Sequence, residues 1–154
     1  MGKAEYEMFQ EIPAKESGST NLCHGLPFEV FYEYLESQLA RKYQTISPYD
    51  TPTTIYLMYV DKNPVGYVGI RTIIDKNWKK WCGNIYYVIR PSEREKGYGT
   101  KILNAAIEKC NQMGLKEVYL CSSENNIQSE KVIENNNGII VKNNGSKYYK
   151  ISIN

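Results

Sequence analysis

The most legible chemistry in this chain lies in the run Arg94, Glu95, Lys96, Gly97, Tyr98, Gly99, Thr100, which reads R-x-x-G-x-G-T. The run follows an apolar stretch stopped at Pro91 and precedes an amphipathic one, so it sits where a strand passes into a helix. Gly97 and Gly99 let backbone N–H groups turn toward an anion with no Cβ in the way. The unpaired N–H groups and the dipole of a first helical turn favour a phosphate there. Arg94 and Lys96 add positive charge at the same mouth. The pattern is that of a pyrophosphate cradle, but it is neither the Walker loop nor the three-glycine dinucleotide fingerprint. Taken alone, a two-glycine turn is equally a plain helix entrance, and the flanking elements must decide its meaning.

The other reactive side chains are scattered. Cys23, Cys82, Cys110 and Cys121 fall in four different elements, none spaced as CxxC, and His24 is the single histidine. A zinc site needs about four clustered N/S ligands, so no metal centre is expected. The cysteines read as reduced thiols, with Cys110 and Cys121 in the core. His24 reads as an exposed loop residue. Trp78 and Trp81, beside Lys76, Lys79 and Lys80, read as cover for a sheet edge or as the lip of an acceptor site.

The elements around these residues follow from periodicity. Tyr6, Met8, Phe9 and Ile12 predict a first helix over Lys3 to Lys15, and Ser17 to Thr20 reads as loop. Phe28, Phe31, Leu35 and Leu39 mark a second helix entered at Pro27. The period then changes to two. Thr53 to Val60 and Val65 to Ile74 predict a hairpin across Asp61–Pro64, and Cys82 to Arg90 a third strand. Tyr98, Ile102, Leu103, Ala106, Ile107, Cys110 and Met113 give the strongest helix, capped by Gly114. Lys116 to Cys121 reads as a buried strand, a fourth helix runs from Asn126 to about Gly138, and a closing hairpin turns at Asn143-Asn144-Gly145. This order predicts one mixed α/β domain over residues 1–154.

Composition excludes several classes. The chain of 154 residues carries 19 Lys+Arg against 17 Asp+Glu, a formal net charge of +2, with no basic block of the kind nucleic-acid binding requires. No apolar run approaches the roughly 20 residues of a membrane span. The first residues offer no signal-peptide core, so the sequence reads as cytoplasmic, with no nucleic-acid or membrane partner.

The whole arrangement resembles the GNAT superfamily of acyl-CoA-dependent N-acyltransferases over about residues 53–142. It consists of a strand, Pro91, R-x-x-G-x-G-T, an amphipathic helix, a short strand and N-x-x-S (Asn126, Ser129) opening another helix. Tyr87 to Gly99 and the Ile133-Glu134-Asn135-Asn136-Asn137-Gly138 ending look especially like a bacterial subgroup of small acetyltransferases. The resemblance implies a mostly antiparallel twisted sheet with helices on both faces, in which the third strand splays from its neighbour to admit the pantetheine arm. It further implies that the backbone of Tyr87, Val88 and Ile89 pairs with that arm, and that the N–H of Tyr87 faces the thioester oxygen. Arg94, Glu95, Lys96, Gly97, Tyr98, Gly99 and Thr100 would hold the pyrophosphate, and Asn126 and Ser129 the far side of the arm. Acetyl-CoA would be the co-substrate and a small-molecule or peptide amine the acceptor, in a monomer or homodimer.

The sequence departs from the family's proton-transfer pattern. Ile133 stands where many members carry a tyrosine, Gly83 where some carry a glutamate, and Asn84 where the similar subgroup often has a histidine. A water relay, Tyr86, Tyr87 or Glu36 remain open as substitutes. The tyrosines equally read as sheet packing and Glu36 as a solvated helix face. Cys121, near the expected thioester, reads as an inert thiol. The competing function is a non-catalytic acyl-CoA-binding module of the same fold. The usual opening strand of these domains has no counterpart in the helical pattern of Lys3 to Lys15.

Overall fold

The computed structural model describes residues 2–16, 19–45, 50–74 and 83–154. Trp78, Trp81, the three lysines beside them and Cys82 lie outside the described residues. The helices are α1 (Lys3–Glu11), α2 (Phe31–Ala40), α3 (Tyr98–Gln112) and α4 (Ile127–Asn135). The strands are β1 (Lys15–Glu16), β2 (Ser19–Thr20), β3 (Thr54–Val60), β4 (Asn63–Ile70), β5 (Ile85–Ile89), β6 (Glu117–Ser122), β7 (Ile139–Asn144) and β8 (Ser146–Ser152).

The chain opens on a helix, as its pattern predicts, but α1 is shorter than the predicted span. The Glu5 side chain reaches back to the Gly2 N–H at 2.7 Å and starts it. Pro13 stops it, because the residue before a proline is driven to extended backbone and Ile12 has φ −74° and ψ 123°. Lys15, predicted in the helix, and Glu16 pair instead with Thr20 and Ser19, read as loop, in a short antiparallel ladder. Asp61 and Lys62 take the positive φ values (49° and 67°) of a tight hairpin turn, so β4 begins at Asn63 and ends at Ile70.

Two three-stranded antiparallel sheets result, ordered β3-β4-β5 and β6-β8-β7. The closing hairpin forms as expected, but its second strand, β8, inserts beside β6 and leaves β7 on the outer edge. Period-two alternation assigns the faces of the first sheet. Tyr56, Met58, Val68, Ile70, Ile85, Tyr87 and Ile89 pack with Ile102, Leu103 and Ala106 of α3 and with Ile133 of α4. Ile55, Leu57, Tyr67, Tyr86 and Val88 pack with Met8 and Phe9 of α1 and Phe31 of α2. Helices therefore cover both faces, and β4 is buried on both sides along its whole length after Asn63.

The two sheets meet at one point. Gly83 and Leu120 form an isolated bridge, the Asn84 N–H donates to the Tyr119 carbonyl at 2.7 Å, and the Tyr119 N–H donates to Asn84 Oδ1 at 2.9 Å. Asn84 Nδ2 donates in turn to the Arg71 carbonyl at 2.9 Å. This side chain, 3% exposed, staples β4, β5 and β6 at the base of their junction. Beyond it, β5 and β6 share no ladder.

A second tie joins the N-terminal helix to the far end of β5. Glu11 accepts from the Ser92 N–H and pairs with Arg90. Burial pushes the Glu11 carboxyl up, but bonds from Ser92 and the Arg90 charge outweigh it and hold the group below its ordinary value. A carboxylate so depressed contributes stability fully above its unfolded pKa of about 4.3 and loses it as pH falls through the folded value. Thermal melts should therefore show wild type losing stability below about pH 4.5, with part of that loss absent in Glu11→Gln. At neutral pH the variant should be less stable by about 2 kcal/mol. Identical acid profiles for the two proteins would remove Glu11 as the anchor.

Candidate functional site

The order of backbone bonds decides which groups of β5 are free. Arg71 donates to the Asn84 carbonyl at 2.8 Å and Arg90 to the Val65 carbonyl at 2.9 Å. The register between them is constant, so the even-numbered residues of β5 bond back to β4. The N–H and C=O groups of Ile85, Tyr87 and Ile89 consequently face the opposite edge, toward β6. Arg94 Nε donates to the Ile89 carbonyl at 3.0 Å and closes the far end of that edge. Tyr87, at the centre of β5, presents its backbone N–H to the gap. Val88, also expected at the gap, turns its backbone toward Tyr67 on β4 and its side chain into the α1/α2 core.

The strand-to-helix turn follows at once. A short 3-10 turn, Pro91–Glu93, leads into Glu95 and Gly97, both left-handed at φ 64° and 77°. Gly97 occupies the N-cap position of α3 and no side chain caps the helix. A Cβ at Gly97 would meet no atom within 4 Å, so the mouth is open there. Gly99 differs. An added Cβ would lie 3.1 Å from Val132 Cγ2, so this glycine serves the close approach of α3 to α4. Tyr98 and Thr100 complete the first turn, and the Asn136 side chain donates to the Thr100 carbonyl at 3.2 Å, tying the end of α4 to it. Gly138 has Ile133 Cγ2 at 2.4 Å from the place of a Cβ, which gives the Ile133–Gly138 ending its physical reason.

The charged residues of the turn already have partners. Arg94 pairs with Glu16 at 2.6 Å and Lys96 with Glu93 at 2.8 Å. Asn126 caps α4, its side chain accepting from the Ser129 N–H at 3.2 Å. Ser129 Oγ lies 3.2 Å from the Tyr87 hydroxyl, so strand and helix meet through this pair. Burial pushes the Tyr87 phenol up to about 12, with Ser129 opposing it, and the hydroxyl stays protonated at neutral pH. Ile133 is 1% exposed in the core. Cys121 lies on β6, half-buried. His24 and Glu36 are exposed.

The opposite face of β5 holds a group that sequence reasoning mostly missed. The Tyr86 ring lies across Gly69 of β4, within 2.1 Å of where a Cβ would stand, and the Arg71 guanidinium sits 4.6 Å from the ring centre. Burial raises the Tyr86 phenol, and nearby Arg41 and Arg71 partly oppose the shift. Tyr67, its ring tilted edge-on to Tyr86, is pushed by burial to about 12, and burial raises Tyr34 further. Arg41 closes the C-terminal end of α2 and holds Asp50 at 3.3 Å. An excess of tyrosine, 14 residues, was the only signal of this cluster in the sequence.

Among the described residues, no three His, Cys, Asp or Glu gather as a metal site and no helix is long and apolar enough to cross a membrane. No curated protein matches the chain. Solved acetyltransferases share its fold. RimL, a ribosomal alpha-N-protein acetyltransferase in complex with coenzyme A, superposes with TM-score 0.68 at 14% identity, over 97% of this chain and 87% of that one. The microcin self-immunity acetyltransferase MccE, in complex with acetyl-CoA and AMP, gives TM-score 0.69 at 17% identity over the same shares, 97% and 87%. A spermidine N-acetyltransferase chimera from Vibrio cholerae gives 0.62 at 15%, over 96% and 89%. The model of the Acetyltransferase (GNAT) family matches residues 22–138, most of the length, including the open edge of β5, the uncapped start of α3 and the capped start of α4. The chain belongs to the GNAT family of acetyltransferases.

Proposed function

We propose that this protein moves an acetyl group from acetyl-CoA to a primary amine of a small molecule or to an exposed amino group, by direct attack in a ternary complex. One observation carries the reading: an unpaired strand edge centred on the Tyr87 N–H runs straight into an uncapped helix N-terminus at Gly97. An arm built of amides satisfies the first as a neighbouring strand would, and a pyrophosphate satisfies the second. The open space at Gly97 fits such an anion. Arg94, Glu95, Lys96, Tyr98 and Thr100 border that cradle. Arg94 and Lys96 would exchange Glu16 and Glu93 for phosphate oxygens. Asn126 and Ser129 would line the far side of the arm.

The thioester supplies an activated acetyl carbonyl. The Tyr87 N–H, fixed by the ladder to β4, would donate to the carbonyl oxygen as negative charge develops there. Alignment of both substrates along β5 supplies much of the acceleration. A thiol leaving group with a pKa of about 8.5 needs little acid assistance, which suits a core where Ile133 replaces the usual tyrosine. The buried Ile133 also favours a second reading, a module that binds acyl-CoA without turnover. A thiol-release assay over a panel of amines, run beside acetyl-CoA binding, separates the two: tight binding with no turnover on any amine selects the module.

Gly97→Asp tests the cradle. Asp tolerates left-handed backbone better than most residues, and the position is sterically open, so the fold should persist. Its carboxylate competes with phosphate, and calorimetry should show acetyl-CoA binding weakened at least tenfold, about 1.4 kcal/mol. Undiminished affinity in a folded variant would remove the assignment. Gly99 is no substitute here, because Val132 fills its space.

Tyr87→Phe tests the division of labour within one residue. The variant keeps the N–H and loses only the hydroxyl bonded to Ser129. Turnover at saturating substrates should stay within a few-fold. A loss above a hundredfold, on the order of 2.7 kcal/mol, would make that hydroxyl the proton donor.

A further inference from the structure

On the α1/α2 side of the sheet, a crevice is lined by Phe9, Tyr34, Gln38, Arg41, Tyr67 and Tyr86. Its room is about 20 Å³, enough for one water, so a ligand reaches it with the tip of a charged group and not with its body. Arg41 lines it with a side chain only 17% exposed. Its terminal nitrogens reach Asp50 at 3.3 Å and Gln38 at 3.4 Å, long for charge-assisted bonds, and its buried Nε finds no acceptor among the described residues. Arg71 stacks on the same Tyr86 ring. Asp50, beside Arg41, already serves Arg41 and the Thr51 N–H. None of the crevice's lining residues is acidic.

We propose that this crevice receives an anionic group of the acceptor, so that the amine acetylated also carries a carboxylate or a phosphate. The inference rests on the acetyl-transfer reading for the place where the acceptor must arrive. Tyr86 adjoins Tyr87, and their side chains leave β5 on opposite faces. An anion at Arg41 therefore lies across the strand from the α3 cradle and beside the central residue of the open edge. A buried donor left unpaired costs free energy that an incoming carboxylate oxygen recovers. The same site disfavours polyamines. Three tyrosine rings line the crevice, but the Arg41 guanidinium among them repels a cation, and none of the lining residues is a carboxylate that would offset that repulsion.

Matched acceptors test the proposal in the presence of acetyl-CoA: β-alanine and phosphoethanolamine against ethanolamine and spermidine. The wild type should favour one of the two anionic amines at least tenfold in kcat/KM, and which of them wins distinguishes carboxylate from phosphate. Arg41→Gln should erase that preference by raising KM for the favoured anionic amine at least tenfold, while Arg41→Lys should retain part of the preference. Preference for ethanolamine or spermidine in the wild type, or an equal loss on every amine in a folded Arg41→Gln, overturns the proposal. If no amine is turned over, acetyl transfer itself fails, and the crevice is judged separately by nuclear magnetic resonance. The Arg41 Nε–H signal of the wild type should then shift with β-alanine or phosphoethanolamine and stay fixed with ethanolamine. No shift with either anion overturns the site.

Discussion

Everything in this molecule is arranged around a strand left half paired. A backbone N–H or C=O away from water needs a partner, and β5 satisfies one edge on β4 while its other edge opens toward β6. A full β5–β6 ladder would satisfy those groups and leave no place for a ligand. The Asn84 staple prevents both extremes. It joins the sheets at the base with two bonds to Tyr119 and holds the end of β4 with a third, and Gly83, at φ 71° and with the Tyr119 carbonyl 2.2 Å from the place of a Cβ, lets the strands touch there before they diverge.

The helices then have two separable duties. α3 and α4 place an uncapped N-terminus and the Ser129–Tyr87 contact at the gap, and they are locked to each other by small residues and by Asn136. α1 and α2 cover the reverse side, where Glu11 fastens the N-terminal segment to the exit of β5. The two faces can thus vary independently, with one strand common to both.

Much of this was legible in the chain. The R-x-x-G-x-G-T junction, the amphipathic α3 and the Asn126 cap depend on local backbone chemistry, which spacing records directly. What sequence could not resolve depends on partners distant along the chain. Gly97 and Gly99 look alike in the motif, yet only contact with Val132 makes the second a packing residue. Arg94 and Lys96 read as charges available at the mouth because the partner of Arg94, Glu16, is far away in sequence, while the partner of Lys96, Glu93, is set by the turn between them. Asn84 looked like a missing histidine, and its bonds to Arg71 and Tyr119 give it a structural duty. Arg41 carried no signal at all, since nothing in a helix-terminal arginine announces that a tyrosine cluster will fold over it.

The Tyr86 ring resting on Gly69 ties two positions into one variable. Any side chain at 69 evicts the ring, and a small residue at 86 uncovers bare backbone on β4 and frees Arg71 from its stacking surface. Neither position can drift alone. Divergence on this face would therefore proceed by coupled exchange at 69 and 86, and a chain with a bulky residue at 69 and glycine at 86 would present an α1/α2 face of different shape on an unchanged β5 edge.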